Sequence, residues 1–162
     1  MMIDRAPVSK ALQELIAKAT GRPCGLGVLP LVGGQPAPVP YTVLYPLGGS
    51  VGGAPLADAS EDADLDYQVT AVAARTDQAE WIADRTRNGV VGRTASGAWQ
   101  QALDTPGVDV WARELSMDKG VEPQTGEGIV AYVQRYRLRA TGGVDEKPSP
   151  PATLSPIQAK TA

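Results

Sequence analysis

The stretch DLDYQVTAVAARTDQAEWIADRTRNGVVG, residues 64–92, constrains the fold more than any other part of the chain. It begins with period two. Leu65, Tyr67, Val69, Ala71 and Ala73 share one face of a strand, and Asp66, Gln68 and Thr70 begin the other. That second face turns apolar at Val72 and Ala74. Arg75, Thr76 and Asp77 supply the turn. Asp77 and Glu80 have the spacing of a capping box, which predicts that the Asp77 side chain accepts from the backbone N–H of residue 80. The period then becomes helical. Ala79, Ile82, Ala83, Thr86 and Val90 make one stripe on a helix over residues 78–88, with Gly89 and Gly92 as its stop. A strand running straight into an amphipathic helix is half of an α/β layer, and the stripe requires a sheet to cover.

A second helix is predicted over residues 7–19. Pro7 suits a first turn, and Val8, Ala11, Leu12, Leu15, Ile16 and Ala19 line one side. Gly21 and Pro23 end it. Residues 22–40 read as an irregular Pro-rich connection, with a short strand near residues 26–31. YTVLY is a strand closed by Pro46. GGSVGG and DASEDAD then read as one long loop. GAWQQAL and VDVWAREL read as a hairpin turned at Pro106-Gly107. MDKGVEPQTGEG reads as a loop, and IVAYVQRYRLRA as the last strand. In that strand Val130, Tyr132, Gln134, Tyr136 and Leu138 share one face. Ile129, Ala131, Val133, Arg135, Arg137 and Arg139 share the other. The expected fold is α/β in the α+β sense: a mixed or antiparallel sheet with two helices on one face. Residues 1–142 form one domain, and residues 143–162 a Pro-rich C-terminal arm without periodicity.

The chemistry is bounded by what is missing. The chain has no His, so Ser-His-Asp and Cys-His machinery is impossible within it. Cys24 stands alone among small apolar residues and reads as packing, not as a nucleophile. Asp62, Asp64 and Asp66 imitate the start of a calcium loop. Tyr67 stands where the turn needs Gly, and Ala73 where a bidentate Glu belongs. GGSVGG lacks the Lys-Ser or Lys-Thr of a phosphate loop. Ser9 and Lys10 are adjacent on a helix and point to different sides. No enzyme activity, metal or cofactor is expected. The start MMIDRAPVSK has no apolar core for a signal peptide. Residues 23–57 carry no charge, but their Pro and Gly exclude a spanning helix, so no membrane partner is expected.

The net charge of −3 gives no global attraction to DNA. One local feature remains. Arg135, Arg137 and Arg139 lie at i, i+2 spacing, about 6.5–7 Å apart along a strand face and close to the phosphate spacing of a nucleic acid strand. Three readings stay open: contact with a neighbouring subunit, a solvated face, or a nucleic acid backbone.

The order of parts carries a resemblance. An amphipathic N-terminal helix is followed by PYTVLYPLGG and an acidic loop. The strand and helix marked by Tyr67, Gln68, Thr76, Gln78, Ala79 and Trp81 come next, and YVQRYRLRA closes the series. Over residues 5–141 this resembles the tail terminator proteins of long-tailed bacteriophages, especially those of actinobacteria. The resemblance implies a ring, hexameric in the family, that caps the tail tube and stops its polymerisation. It implies as partners further copies of the chain, the major tail tube protein and the head-tail connector or stopper. Genomic DNA would pass through the lumen without sequence-specific binding. The place would be the virion, at the head-tail interface, after synthesis in the host cytoplasm. On this reading Arg135, Arg137 and Arg139 are subunit-interface candidates, and Asp58, Glu61, Asp62 and Asp64 are lumen-facing candidates. The alternatives are a head-completion or stopper protein, a nucleic-acid-binding module, and a small enzyme.

Overall fold

The computed structural model describes residues 2–52, 60–122 and 128–143. Its elements run α1 (Arg5–Thr20), β1 (Cys24–Leu26), β2 (Leu31–Val32), β3 (Gln35–Pro36), β4 (Tyr41–Gly52), β5 (Asp62–Ala73), α2 (Thr76–Val91), β6 (Val108–Glu122) and β7 (Val130–Gly142). Five strands form one sheet in the order β1-β4-β5-β7-β6. β1 is parallel to β4, and all other neighbours are antiparallel. β2 and β3 form a separate two-stranded ribbon. The α+β architecture with a mixed sheet is the expected one.

β5 is the spine, and its alternation is fully realised. Ala63, Leu65, Tyr67, Val69, Ala71 and Ala73 are buried, and Asp64, Asp66, Gln68, Thr70 and Val72 are half-buried on the other face. Both helices lie over the first of these faces. Val8, Leu12, Leu15 and Ile16 of α1 join Val90 of α2, Leu44, Leu65, Tyr67, Val69, Tyr136 and Leu138 in one core. With no Phe in the chain, tyrosines supply the aromatic volume. Tyr67 and Tyr136 stand opposite each other across β5 and β7. Each buried hydroxyl has a partner: Tyr67 with Ser9 of α1 at 3.0 Å, and Tyr136 donating to Gln134 Oε1 at 3.0 Å.

The helices touch through small residues. All five residues of the α2 stripe are buried, and so is Gly89. Gly89 does not end α2, which runs on to Val91. A Cβ at Gly89 would lie 2.4 Å from Ala19 Cβ, so its lack of a side chain sets the approach of α1 to α2. The capping box does not form either. The helix starts at Thr76, two residues before the expected start, so Asp77 already lies inside the first turn. It pairs with Arg75 at 3.2 Å. Gln78 instead reaches back to accept from the Ala74 N–H at 3.2 Å.

Several loops of the sequence reading are strand. β4 passes through Pro46 by a bulge between Pro46 and Gly48 and takes in GGSVG. Its ladder with β5 extends to Gly52 opposite Asp62. Asp62, Asp64 and Asp66 therefore lie on a strand. β6 runs to Glu122 through all of MDKGVE, paired with β7 with three register shifts. GAWQQAL is not its partner: only a bridge between Arg93 and Trp99 forms there, and β6 pairs with β7 alone. The early strand is β1, ending at Leu26, and residues 27–40 form a finger. Its base is tied down by Gly27 N–H to Leu44 O at 2.7 Å, Ala37 N–H to Pro30 O at 2.9 Å, and Arg22 Nε to Pro40 O at 2.9 Å. Its tip is the β2–β3 ribbon, joined by Gly33-Gly34, both at positive φ, the two-residue turn that suits a twisted hairpin.

Candidate interaction surface

The face of the sheet away from the helices is where the sequence candidates gather. The register of β5 against β7 sets Asp62 opposite Thr141, Asp64 opposite Arg139, Asp66 opposite Arg137 and Gln68 opposite Arg135. Side chains directly opposite on one face lie within reach of each other. Arg137 Nε donates to Asp66 Oδ1 at 2.8 Å and its Nη2 to Oδ2 at 3.4 Å. Arg139 Nε lies 3.5 Å from Asp64 Oδ1. Arg135 Nε donates to Gln68 Oε1 at 3.3 Å. Thr141 Oγ1 donates to Asp62 Oδ1 at 2.6 Å and accepts from Trp111 Nε1 at 3.2 Å. The Asp66 carboxylate, with Asp64 and Glu114 near, pushes the Arg137 guanidinium further up. These cross-strand pairs are screened by solvent, so each stabilises the sheet only weakly.

The ladder puts on one surface two sets of residues that the sequence assigned to different places. Asp64 and Arg139 are cross-strand partners, so the lumen-facing and the interface candidates lie side by side on one surface. Glu61 has a further role. Its Oε2 accepts from the Ile3 N–H at 2.7 Å, just ahead of α1, whose first turn carries no acid and whose cap residue Asp4 makes no side-chain cap bond. Asp58 lies outside the described residues. So do residues 144–162 of the expected C-terminal arm.

Beside the ladder the same face opens into a trough of about 590 Å³. Tyr45 and Leu47 of β4, Gln68 and Thr70 of β5, and Ala131, Val133 and Arg135 of β7 line it, with Lys119 and Glu122 of β6. Lys119 pairs with Glu122, and the cationic Arg135 is hydrogen-bonded to the neutral Gln68. At the β1 edge the finger base lies on this face. Gly25, opposite Val43, has the Val28 carbonyl and the Pro30 nitrogen where a side chain would stand. Sequence reasoning passed over the finger. Val28, Leu29, Leu31 and Val32 are 68, 51, 64 and 54 % exposed. An uncharged run closed by Gly-Gly was the signal available for it.

No metal-binding group of His, Cys, Asp and Glu occurs among the described residues. Burial pushes the Cys24 thiol up, against smaller opposing effects of Thr42 and Leu44, which suits a packing residue. No helix among the described residues is long and apolar enough to cross a membrane. Among the described residues the buried cation is Arg113. Its Nη1 donates to Gln101 O at 2.8 Å and to Val90 O at 3.3 Å, closing the end of α2. Its guanidinium and that of Arg93 lie 4.6 and 3.8 Å from the Trp99 ring centre.

No protein-family model and no curated protein sequence matches the chain. A solved structure does. The fold is similar to that of a chain in the virion of a native gene transfer agent particle, with a TM-score of 0.55 and 16 % identity. The likeness covers 83 % of this chain and 95 % of that one. At this identity it is a likeness of fold.

Proposed function

We propose that this chain is a structural protein of a phage-like virion, of the tail terminator kind. Copies of it form a ring that closes the tail tube and offers a face to the head connector. The observation that carries the reading is the fold shared, over nearly the full length of the other chain, with a chain of a gene transfer agent virion. Two features of the molecule agree with it. The sheet face that the described residues leave uncovered and the apolar finger would be surfaces met by protein, and a contact between two different patches closes into a ring when its rotation permits. The ladder balances most of its own charge, so it would neither grip DNA nor add strong repulsion along a passage. We place the ladder at the seam between neighbouring copies and that passage. Its arginine heads would meet the neighbour, and Asp62, at the end of the ladder, would lie toward the lumen.

Negative-stain imaging of the purified protein, alone and with tail tubes, tests this. Rings at tube ends are expected. Binding only to capsid portals would make the chain a stopper instead. Absence of rings from both would sink the structural reading.

A further inference from the structure

Among the described residues two surfaces stand unfilled, the finger tip and the sheet-face trough. We infer that the tip of the finger, Leu31 and Val32 with Val28 and Leu29 behind them, seats in the sheet-face trough of a second copy. This rests on the ring reading above and names the contact that would build the ring.

Three observations lead to it. The β2–β3 ribbon pairs only two residues on each strand, and such a ribbon is marginal in water. Leu31 and Val32 are adjacent on a strand, so they point to opposite sides, yet both are exposed. The ribbon thus stands clear on both faces and suits a groove better than a flat surface. Second, its base is fixed by Arg22 and by Ala37 and Pro30, so docking costs little ordering. Third, the surfaces match in charge and size. Residues 27–40 carry no charge, and in the trough Lys119 and Glu122 neutralise each other while Arg135 is hydrogen-bonded to Gln68. The four aliphatic side chains expose on the order of 400 Å², as large as a typical monomer's largest apolar patch. That is about half of the ~800 Å² that each partner of a standard interface contributes. The finger rises from the β1 edge and the trough spans β4 to β6, so the two are different patches of one face. Each copy then gives its finger to one neighbour and its trough to the other.

The test uses the full-length chain and two double variants: Leu31→Asp with Val32→Asp in the finger, and Leu47→Asp with Ala131→Glu in the trough. Circular dichroism melts establish that both fold. Light scattering after size exclusion reads the mass. We expect wild-type rings and two monomeric variants, with the half-assembly concentration raised well over about tenfold in each. Mixing the two variants is decisive. One intact finger and one intact trough remain between them, so the mixture forms dimers and nothing larger. Failure of the mixture to dimerise overturns the inference. Variants that assemble like wild type overturn it and leave the ring reading standing. A finger variant that still forms rings but no longer caps tail tubes overturns it too, because the finger's partner would then be the tube. A wild-type chain that stays monomeric, alone and with tubes, removes ring and inference together.

Discussion

Gly89 sits where two opposing effects can be weighed. Inside a helix, Gly→Ala normally raises stability by about 1 kcal/mol. Here the added Cβ would lie 2.4 Å from Ala19 Cβ, against the ~3.5–4 Å of a relaxed carbon contact. α1 and α2 must move apart by an ångström or more at that point, by simple geometry roughly the missing distance. Leu15, whose Cδ2 would lie 3.6 Å from the new methyl, moves with them. Overpacking of this kind costs about 1–3 kcal/mol. The net expectation for Gly89→Ala is a loss of about 1 kcal/mol, or about 2–4 °C in Tm at this chain length. Ala19→Gly alone should cost about 0.5 kcal/mol, because residue 19 lies in the last turn of α1. The double variant moves the methyl from one helix to the other. It should melt within about 1–2 °C of wild type, giving a favourable coupling of about 1–2 kcal/mol between the two sites. Thermal denaturation followed at 222 nm, at one protein concentration so that association does not confound the series, measures all four proteins. A Gly89→Ala chain as stable as wild type or more so would refute the close-approach argument. So would additive losses in the double variant.

Three further outcomes follow from the same geometry. Arg113→Met removes the buried donor to Gln101 and Val90 carbonyls and should lower stability by about 2 kcal/mol, with Arg113→Lys intermediate; a Met variant that melts higher would mean that guanidinium desolvation outweighs those bonds. Arg137→Gln with Arg139→Gln should leave the salt dependence of duplex DNA binding nearly unchanged, whereas two true phosphate contacts would flatten the log–log slope by about 1.8, measurable by fluorescence anisotropy. Burial, then Asp118, pushes the Tyr132 phenol up to about 12, and burial raises that of Tyr136 further. An unfolded tyrosine ionises near pH 10, so below that pH both states keep the proton and the contribution is whole; between about pH 10 and 12 only the unfolded chain loses it, and Tm should fall as pH rises. The fall should be shallower in Tyr136→Phe.

The strand-turn-helix unit was legible because its periods were imposed by burial. Each inner-face residue named for β5 is buried, and so is each stripe residue named for α2. What failed were inferences from local composition. Gly-rich GGSVG and the charged MDKGVE look like loops because neither has strand preference of its own. They are strands because β5 and β7 offer ladders beside them, and pairing outweighs propensity at such positions. The ladder shows the same limit. Aspartates at 62, 64 and 66 and arginines at 135, 137 and 139 both have strand spacing in the sequence. Their complementarity was visible, but a single sequence does not state which strand neighbours which, and so the two runs received separate roles.

The edges of the sheet also bear on how copies would meet. Strand addition needs a long, regular edge. At one side the edge is β1, three residues long, with the finger base packed on it. At the other it is β6, fifteen residues long but broken by register shifts between Val110 and Ala112, Leu115 and Met117, and Asp118 and Gly120. Each shift turns the backbone out of the line that an incoming strand would follow. Asp109, Glu114, Asp118 and Lys119 add charge along the same edge. Neither edge therefore invites extension of the sheet from copy to copy, which would give an open ribbon. On the ring proposal, association would then fall to the exposed finger and the sheet face left open by the described residues, different patches that suit the heterologous contact of a closed ring.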